Sequence, residues 1–142
     1  MSTVKDLLSE KGGAVFAVTP EQLVLDALRV MADAGIGSVL VMQGTELLGI
    51  LSERDYARKV VLLGRASHDT PVTDIMSSPV VSVQPSTGIH TCMRLMTDQR
   101  IRHLAVVCDG AIMGVVSIGD LVKRMLADQA VEIDQLKQYI SS

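Results

Sequence analysis

The sequence has almost no aromatic residues. Phe16, Tyr56 and Tyr139 are the whole set, and tryptophan is absent. This scarcity excludes a platform on which several nucleic-acid bases could stack. The net charge of −3 also argues against general nucleic-acid binding, because such proteins are usually basic. Apolar residues make up 48% of the chain, which predicts a folded core of Val, Leu, Ile, Met and Ala.

Cysteine and histidine are also scarce. We interpret the two cysteines, Cys92 and Cys108, as reduced core residues, because both lie in periodic apolar segments. The three histidines and these cysteines show no metal-ligand spacing, so no metal is expected to be required. Phosphate-loop, Rossmann and nucleophile-elbow motifs are missing, and an enzyme is therefore not predicted.

No apolar run approaches the ~18 residues that a membrane-spanning helix needs. Residues 1–8 contain Lys5 and Asp6 within only a short apolar patch, which is unlike a signal peptide. We therefore expect a cytoplasmic protein that does not contact membranes.

The chain repeats itself. Residues 15–60 align without a gap with residues 80–125, and eleven of the 46 pairs are identical. The similarity extends upstream, where Val4–Ser9 matches Val72–Ser77 with three extra residues before Val15 in the first copy. Such a period indicates a duplicated structural unit.

Each copy predicts the same element order, β-α-β-β-α. In the first copy a strand is predicted at Ala14–Val18. A helix follows, which begins at Thr19-Pro20 with a capping box completed by Gln22. Two strands, Val39–Met42 and Leu47–Leu51, are joined by a turn at Gln43-Gly44, and a second helix begins at Ser52. In the second copy the predicted elements are strands at Val80–Val83, Leu104–Val107 and Ile112–Val116, an Asp109-Gly110 turn, and a helix from Ser117. The crossover implies a parallel strand pair. The predicted fold class is α/β, with two units packed sheet to sheet.

We assign residues 8–68 to the first repeat, residues 75–132 to the second and residues 133–142 to a C-terminal helical extension. An apolar stripe follows Asp120 at helical spacing and comprises Val122, Leu126, Ile133, Leu136 and Ile140. It is expected to pack on the N-terminal helix or on a second subunit. The helices of one pair of repeats have more apolar surface than they can cover among themselves, so a homodimer is predicted.

Two octapeptides of the form Gly, two aliphatics, Ser, two residues, Asp, apolar end the β-β-α part of each copy. They are Gly49–Tyr56 and Gly114–Leu121. Together with Val72–Met76 and Ile101–Val107, they resemble cystathionine β-synthase-type (CBS) repeats. The run Glu53–Lys59 is similar to stand-alone CBS pairs of bacteria and plant mitochondria.

The resemblance implies a pseudo-twofold module with two clefts for AMP, ADP, ATP, NAD(H) or S-adenosylmethionine. AMP is the favoured ligand, with NAD(H) and ATP as alternatives. The implied function is regulatory: the module would signal energy or redox state to an unidentified partner protein. Two other functions stay open, an NAD(H)-selective redox sensor and a structural dimer with vestigial clefts.

The resemblance also implies roles for individual residues. The motif Asp would bind the ribose hydroxyls and the motif Ser would face the phosphate, with Ser52 and Asp55 in one cleft and Ser117 and Asp120 in the other. Backbone at Val18–Thr19 and Val83–Gln84 would hold the adenine edge.

Arg102 and His103 precede a strand of the second copy, and the resemblance makes them phosphate contacts. Gly37 and Ser38 stand in their place in the first copy, which weakens the expectation of phosphate binding there. Ser38, Arg54 and Lys59 are further candidates in the first cleft. Arg54 and Lys59 would otherwise belong to a solvated helix face.

The chemistry of the motif allows two interpretations. A carboxylate can accept two hydrogen bonds from a cis-diol, and a Ser at a helix start lies beside free backbone N–H groups. The same Ser-x-x-Asp spacing is also a helix capping box, so Ser52 with Asp55 and Ser117 with Asp120 could serve only as caps.

Overall fold

The computed structural model describes residues 2–141. In chain order its elements are α1 (Val4–Lys11), β1 (Ala17–Val18), α2 (Val24–Ala34), β2 (Ser38–Gln43), β3 (Glu46–Ser52), α3 (Glu53–Tyr56), β4 (Ser82–Val83), α4 (Ile89–Gln99), β5 (His103–Cys108), β6 (Ala111–Ser117) and α5 (Ile118–Ser141). A π-helical turn at Ala57–Val61 continues α3, and a 3₁₀ turn lies at Val72–Asp74. The predicted α/β fold with two β-α-β-β-α repeats is confirmed.

The chain divides into two compact units, residues 15–80 and residues 2–14 together with 81–141. Each unit holds one three-stranded sheet, of order β1-β2-β3 or β4-β5-β6. The first pair in each sheet is parallel and the second antiparallel, as the crossover predicts. The repeat boundaries of 8–68 and 75–132, with an extension at 133–142, remain predictions.

The unit of residues 15–80 has a core between its sheet and α2. Val41 and Leu51 on the sheet are fully buried, as are Val24 and Ala27 on α2. The connecting segment that follows α3 also contributes to this core, because Val72 and Ile75 are buried in it.

The other unit has the same plan. Leu104 and Val116 of the sheet pack with Ile89, Cys92 and Met96 of α4. Val4 and Leu7 of α1 complete this core. Cys92 is buried and free, which confirms its predicted place, and burial raises the pKa of its thiol. Cys108 is free and only half-buried at the end of β5.

Each repeat is completed by the segment that leads into the other repeat. The N–H of Val4 donates to the carbonyl of Thr87, and the N–H of Val72 donates to the carbonyl of Gln22, its counterpart. Likewise Ile89 donates to Ser2, and Val24 donates to Thr70. The matched segments Val4–Ser9 and Val72–Ser77 therefore occupy equivalent places in the two units.

The predicted start of the first long helix is wrong. Thr19 and Pro20 do not begin α2, because Thr19–Gln22 forms a separate turn in which the Gln22 N–H donates to the Thr19 carbonyl. The helix starts at Val24 after an extended Leu23, whose N–H donates to Asp26 at 3.0 Å. Asp26 therefore supplies the cap that the sequence assigned to Thr19 and Gln22.

The first strand of each repeat is shorter than predicted. Ala17–Val18 and Ser82–Val83 are the paired parts, and Val15 and Phe16 are exposed. The predicted Asp109-Gly110 turn is confirmed, with φ of 50° and 78°, as a tight hairpin requires. The first hairpin turns one residue later than predicted, at Gly44-Thr45, because Gln43 pairs with Glu46.

Candidate functional site

The Ser–Asp motif lies where the last strand of each sheet ends and the next helix begins. In the first repeat the Ser52 N–H donates to Asp55 Oδ2 at 3.0 Å, and the Asp55 N–H donates to Ser52 Oγ at 3.2 Å. In the second repeat the Ser117 N–H donates to Asp120 Oδ2 at 2.9 Å, and the Asp120 N–H donates to Ser117 Oγ at 3.1 Å. Both motifs are therefore complete capping boxes. The structure brings each predicted Ser and Asp together.

A lysine from α1 also contacts the second motif. Lys11 Nζ lies 2.6 Å from Asp120 Oδ2 and donates to the Val115 carbonyl at 2.7 Å. Burial of the Asp120 carboxyl disfavours its charge, but hydrogen bonds from Lys11 and Ser117 and the charge of Lys11 outweigh this cost. The pKa of Asp120 is therefore lowered below its ordinary value. The carboxylate is ionised at neutral pH, as a diol acceptor must be.

The first motif has different partners. Asp55 Oδ1 lies 3.2 Å from Lys59 Nζ and accepts from Ser77 Oγ at 3.1 Å. The Lys59 ammonium also donates to the Ile75 carbonyl at 3.1 Å. Both oxygens of Asp55 are thus engaged, whereas the cap and the ion pair of Asp120 converge on Oδ2. A diol that approaches Oδ1 of Asp120 would not have to break either of those contacts.

The start of the middle strand brings further candidates to the motif. His103 pairs directly with Ser117 in the β5–β6 register, and Ser38 pairs with Ser52 in the β2–β3 register. Directly opposite residues of an antiparallel pair share one face of the sheet with Cβ atoms about 5 Å apart. His103 is half-buried and Ser38 is buried.

The residue before each middle strand holds the helix start through its backbone. The Arg102 carbonyl accepts from the Ile118 N–H at 2.9 Å, and the Gly37 carbonyl accepts from the Glu53 N–H at 3.1 Å. These bonds occupy a backbone donor at the first turn of each helix. Arg102 itself is exposed to solvent.

The backbone predicted to hold adenine is already engaged in local turns. Val18 and Val83 are buried in their strands. The N–H of Thr19 donates to Gln22 Oε1 at 2.9 Å, and the N–H of Gln84 donates to Thr87 Oγ1 at 3.0 Å. An adenine edge that used either N–H would have to displace a side chain.

Lys59 and Arg54 are placed differently by the structure. Lys59 turns toward Asp55 and Ile75, so the i, i+4 pair of Asp55 and Lys59 meets on one helical face. Arg54 is half-buried on the short helix α3. The roles of both side chains toward phosphate stay predictions.

Two polar residues at the motifs were not predicted. Lys11 and Ser77 come from the segments that lead into each repeat, far in sequence from the Asp they contact. The upstream similarity of Val4–Ser9 with Val72–Ser77 was a signal that these segments are equivalent. That similarity did not reveal that the segment preceding one repeat packs against the other repeat.

A small pocket of about 160 Å³ adjoins Asp120 in the same unit. Its lining combines acidic and basic side chains with one apolar residue and consists of Leu7, Glu10, Lys11, Asp120, Lys123 and Arg124. Arg124 pairs with Glu10 and lies 3.3 Å from Asp128. The pocket therefore connects the motif acid to the α1–α5 contact.

Two features are absent from residues 2–141. None of the helices is both long and apolar enough to cross a membrane. Within the same residues, no group of three or more His, Cys, Asp or Glu side chains is arranged to hold a metal ion.

Known proteins of the same kind were found by sequence and by structure. CBSX3, a mitochondrial CBS domain-containing protein of Arabidopsis thaliana, is 37% identical over 148 residues, which covers 98% of this chain and 72% of CBSX3. The solved structure of a CBS-domain protein from Burkholderia ambifaria MC40-6 is 46% identical with a TM-score of 0.86, covering 90% of this chain and 96% of that one. A hexameric CBS-CP12 protein from bloom-forming cyanobacteria is 25% identical with a TM-score of 0.77, covering 85% and 70%.

The family assignment follows from these matches. A family model of the CBS domain matches the chain twice, at residues 3–62 and 72–127. CBS domain pairs are generally regulatory, ligand-binding modules of signalling proteins, and their ligands generally contain adenosine. Stand-alone CBS proteins are typically regulatory and not catalytic. The chain is a tandem pair of CBS domains and belongs to the CBS domain family.

Proposed function

We propose that this CBS pair binds an adenosine nucleotide, with AMP as the favoured ligand, and signals the nucleotide state to a partner protein. The observation that carries the proposal is the recurrence of an ionisable Asp and a Ser at the same strand–helix junction of both repeats. A polar residue lies directly opposite the Ser in each case, Ser38 or His103. An Asp can accept both hydroxyls of a ribose, and polar groups beside the helix start suit a phosphate.

The second repeat is the stronger of the two proposed sites. Arg102 can neutralise phosphate charge there and His103 can contact the phosphate, and Asp120 has its intramolecular contacts on one oxygen. In the first repeat Ser38 replaces the histidine, and both oxygens of Asp55 are engaged. We therefore propose that AMP occupies the second-repeat site at lower concentration, with the phosphate toward Arg102 and the ribose toward Asp120.

A structural role with vestigial sites is the second candidate function. Each motif Asp is already satisfied by a cap and a lysine, Lys59 for Asp55 and Lys11 for Asp120. Such contacts alone would explain why the residues are present. This candidate predicts that no adenosine ligand binds at either repeat.

Titration calorimetry of the whole chain with a ligand panel separates the candidates. AMP, ADP, ATP, NADH and S-adenosylmethionine are titrated in parallel, with adenosine and GMP as controls. Saturable AMP binding that exceeds GMP binding supports the proposal, and a clear preference for NADH would make the chain a redox sensor. No heat and no thermal stabilisation with any adenosine ligand would leave the structural role.

The remaining proposals concern assembly and location. We propose a homodimer without catalytic activity, supported by the apolar stripe that α5 exposes and by the oligomeric state named for the cyanobacterial CBS-CP12 protein. A cytoplasmic location is also proposed, although the similar plant protein CBSX3 is mitochondrial by name.

A further inference from the structure

The C-terminal half of α5 is a long helix with an uncovered apolar face. The helix spans Ile118–Ser141 over 24 residues. Its beginning is fixed, because Leu121 is buried in the core and Ser2 Oγ donates to Asp128 at 2.8 Å. Every helix residue from 129 to 141 is exposed. This part of the helix, residues 126–141, is called the tail below.

The exposed apolar residues of the tail follow a heptad repeat. Leu126, Ile133 and Ile140 occupy a positions, and Gln129 and Leu136 occupy d positions, with alternating steps of three and four residues. The four apolar side chains are all more than half exposed: Leu126 62%, Ile133 55%, Leu136 59% and Ile140 75%. A narrow stripe at a and d is the pattern of a coiled-coil seam.

We propose that the tail pairs with the tail of a second copy as a parallel, in-register, two-stranded coiled coil. Ile at a with Leu at d favours two strands in a parallel arrangement. The polar Gln129 at a d position would fix the register, because a shifted helix would bury it against an apolar residue. The inference rests on the proposed homodimer, which it specifies, and not on the nucleotide site.

The charges beside the seam select the orientation. Glu132 is at a g position, and Lys137 is at the e position of the following heptad. In a parallel pair the g residue of one helix faces this e residue of the other, so two Glu132–Lys137 contacts form by symmetry. An antiparallel pair aligns g with g and e with e, which gives up both attractive contacts.

As an isolated peptide the tail would be too short to form a stable coiled coil, but here it continues a helix that is already formed. Isolated helices of about 15 residues are marginal in water, because nucleating the first turn is costly. Here the helix is already nucleated by the packed segment that contains Leu121 and Arg124. Each copy therefore presents a preformed seam.

The first test compares two variants of similar exposure on the same helix. Ile133→Glu/Leu136→Glu places charges in the seam, and Val131→Glu changes an apolar residue that is 57% exposed at an f position, outside the seam. Sedimentation equilibrium should show a dimer for the wild type and Val131→Glu. The dissociation constant of the dimer should be at least about 100-fold higher for the double variant, because four apolar side chains of the seam are lost per dimer.

The tail is exposed in one copy, so these variants should keep the circular dichroism of the wild type, and their AMP binding is measured separately. A dimer of unchanged affinity in the double variant, or a wild type that is monomeric at 100 μM, would overturn the coiled coil. AMP binding that is absent while the dimer behaves as expected would instead refute only the nucleotide proposal.

The second test addresses orientation. Glu132→Lys and Lys137→Glu should each weaken the dimer several-fold, and the double exchange Glu132→Lys/Lys137→Glu should restore it. In a Cys108→Ser background, Gln129→Cys and Leu136→Cys should each form an inter-copy disulfide on mild oxidation. An antiparallel pair can bring at most one of these two positions opposite itself, so cross-linking of only one, or of neither, contradicts the parallel assignment.

Discussion

The ammonium of Lys11 lies 2.6 Å from Oδ2 of Asp120. The two residues are 109 positions apart in the sequence, and their contact joins the N-terminal helix to the motif acid of the second repeat. Ser77 makes the corresponding contact to Asp55 in the first repeat, where the added charge comes from Lys59 on the motif's own helix. The two proposed ribose sites therefore differ in the residues that contact the motif Asp, although both have the same Ser and Asp.

Replacing Lys11 with Met should have opposite effects on stability and affinity. The ion pair is partly exposed, so its loss should lower the free energy of unfolding by at most about 1 kcal/mol. AMP should bind the second repeat several-fold more tightly, because Oδ2 of Asp120 is then released from Lys11 and can accept a ribose hydroxyl in addition to the one at Oδ1. Urea unfolding and calorimetry measure the two effects, with Lys5→Met as the control on the exposed side of α1. Weaker AMP binding in Lys11→Met would mean that Lys11 contacts the ligand itself.

The same ion pair predicts a pH dependence of stability. Asp120 holds its proton more weakly in the folded protein than in the unfolded chain, because its folded-state pKa is lowered from 3.8. Its contribution is therefore fully present above pH 3.8 and is lost as the pH falls through the lowered folded-state pKa. The difference in unfolding free energy between wild type and Asp120→Asn should shrink over this range. A difference that does not change as the pH falls would contradict this contribution of Asp120.

Removing the Asp120 carboxylate should separate ligand binding from capping. Asp120→Ala should lower affinity for AMP by about two orders of magnitude or more, because two charge-assisted hydrogen bonds are lost. It should also cost about 1 kcal/mol of stability through the cap. Asp26→Ala is the matched control, because Asp26 caps α2 through the Leu23 N–H outside the motif. AMP affinity that is the same in both variants would assign Asp120 to capping alone.

The phosphate part of the site predicts a difference between AMP and adenosine. Arg102→Met should weaken AMP binding by up to about tenfold, because the proposed ion pair between Arg102 and the AMP phosphate is exposed. The substitution should also reduce the salt dependence of AMP affinity. Adenosine has no phosphate, so its affinity should not change with the substitution or with ionic strength. Calorimetry at 50 and 500 mM NaCl tests both ligands. Equal losses for AMP and adenosine would place Arg102 away from the phosphate.

Two glycines at equivalent strand positions should differ in their tolerance of a side chain. A Cβ at Gly49 would lie 2.6 Å from Met76 Sδ and 3.0 Å from the Ser77 carbonyl oxygen, whereas a Cβ at Gly114 would lie 3.1 Å from the flexible end of Leu8. Gly49→Ala should therefore cost about 1–3 kcal/mol, and Gly114→Ala should cost clearly less. Urea denaturation of the two variants compares them, and equal losses would contradict this difference in packing.

The sequence predicted the element order and the motif, because both depend on local patterns. Apolar periodicity placed β2, β3, β5 and β6 within one or two residues, and the repeated Ser and Asp marked the two helix starts. The local turn at Thr19–Gln22 was mistaken for the start of α2, since Thr, Pro and Gln satisfy the requirements of a helix cap. The true cap, Asp26, could be recognised only after Leu23 was seen to pair with Pro71.

The parts of the site that the sequence did not predict depend on long-range contacts. Lys11 reaches Asp120 because α1 packs against the second repeat, and no local pattern around either residue encodes that choice. The predicted strand at Ala14–Val18 was too long for a related reason. Val15 and Phe16 are apolar but exposed, and hydrophobicity alone does not tell a buried residue from an exposed one.

The exchange of leading segments also sets an order for events during synthesis. Residues 15–80 are contiguous, so every segment of their unit has left the ribosome once residue 80 has emerged. Residues 2–14 emerge before residues 15–80, yet their partners lie at residues 81–125. At about 5–20 residues per second, α1 waits several seconds for its partners. Residues 2–14 are consequently among the last of the described residues to reach their final place, and the buried Val4 and Leu7 are apolar groups that need protection from aggregation during that delay.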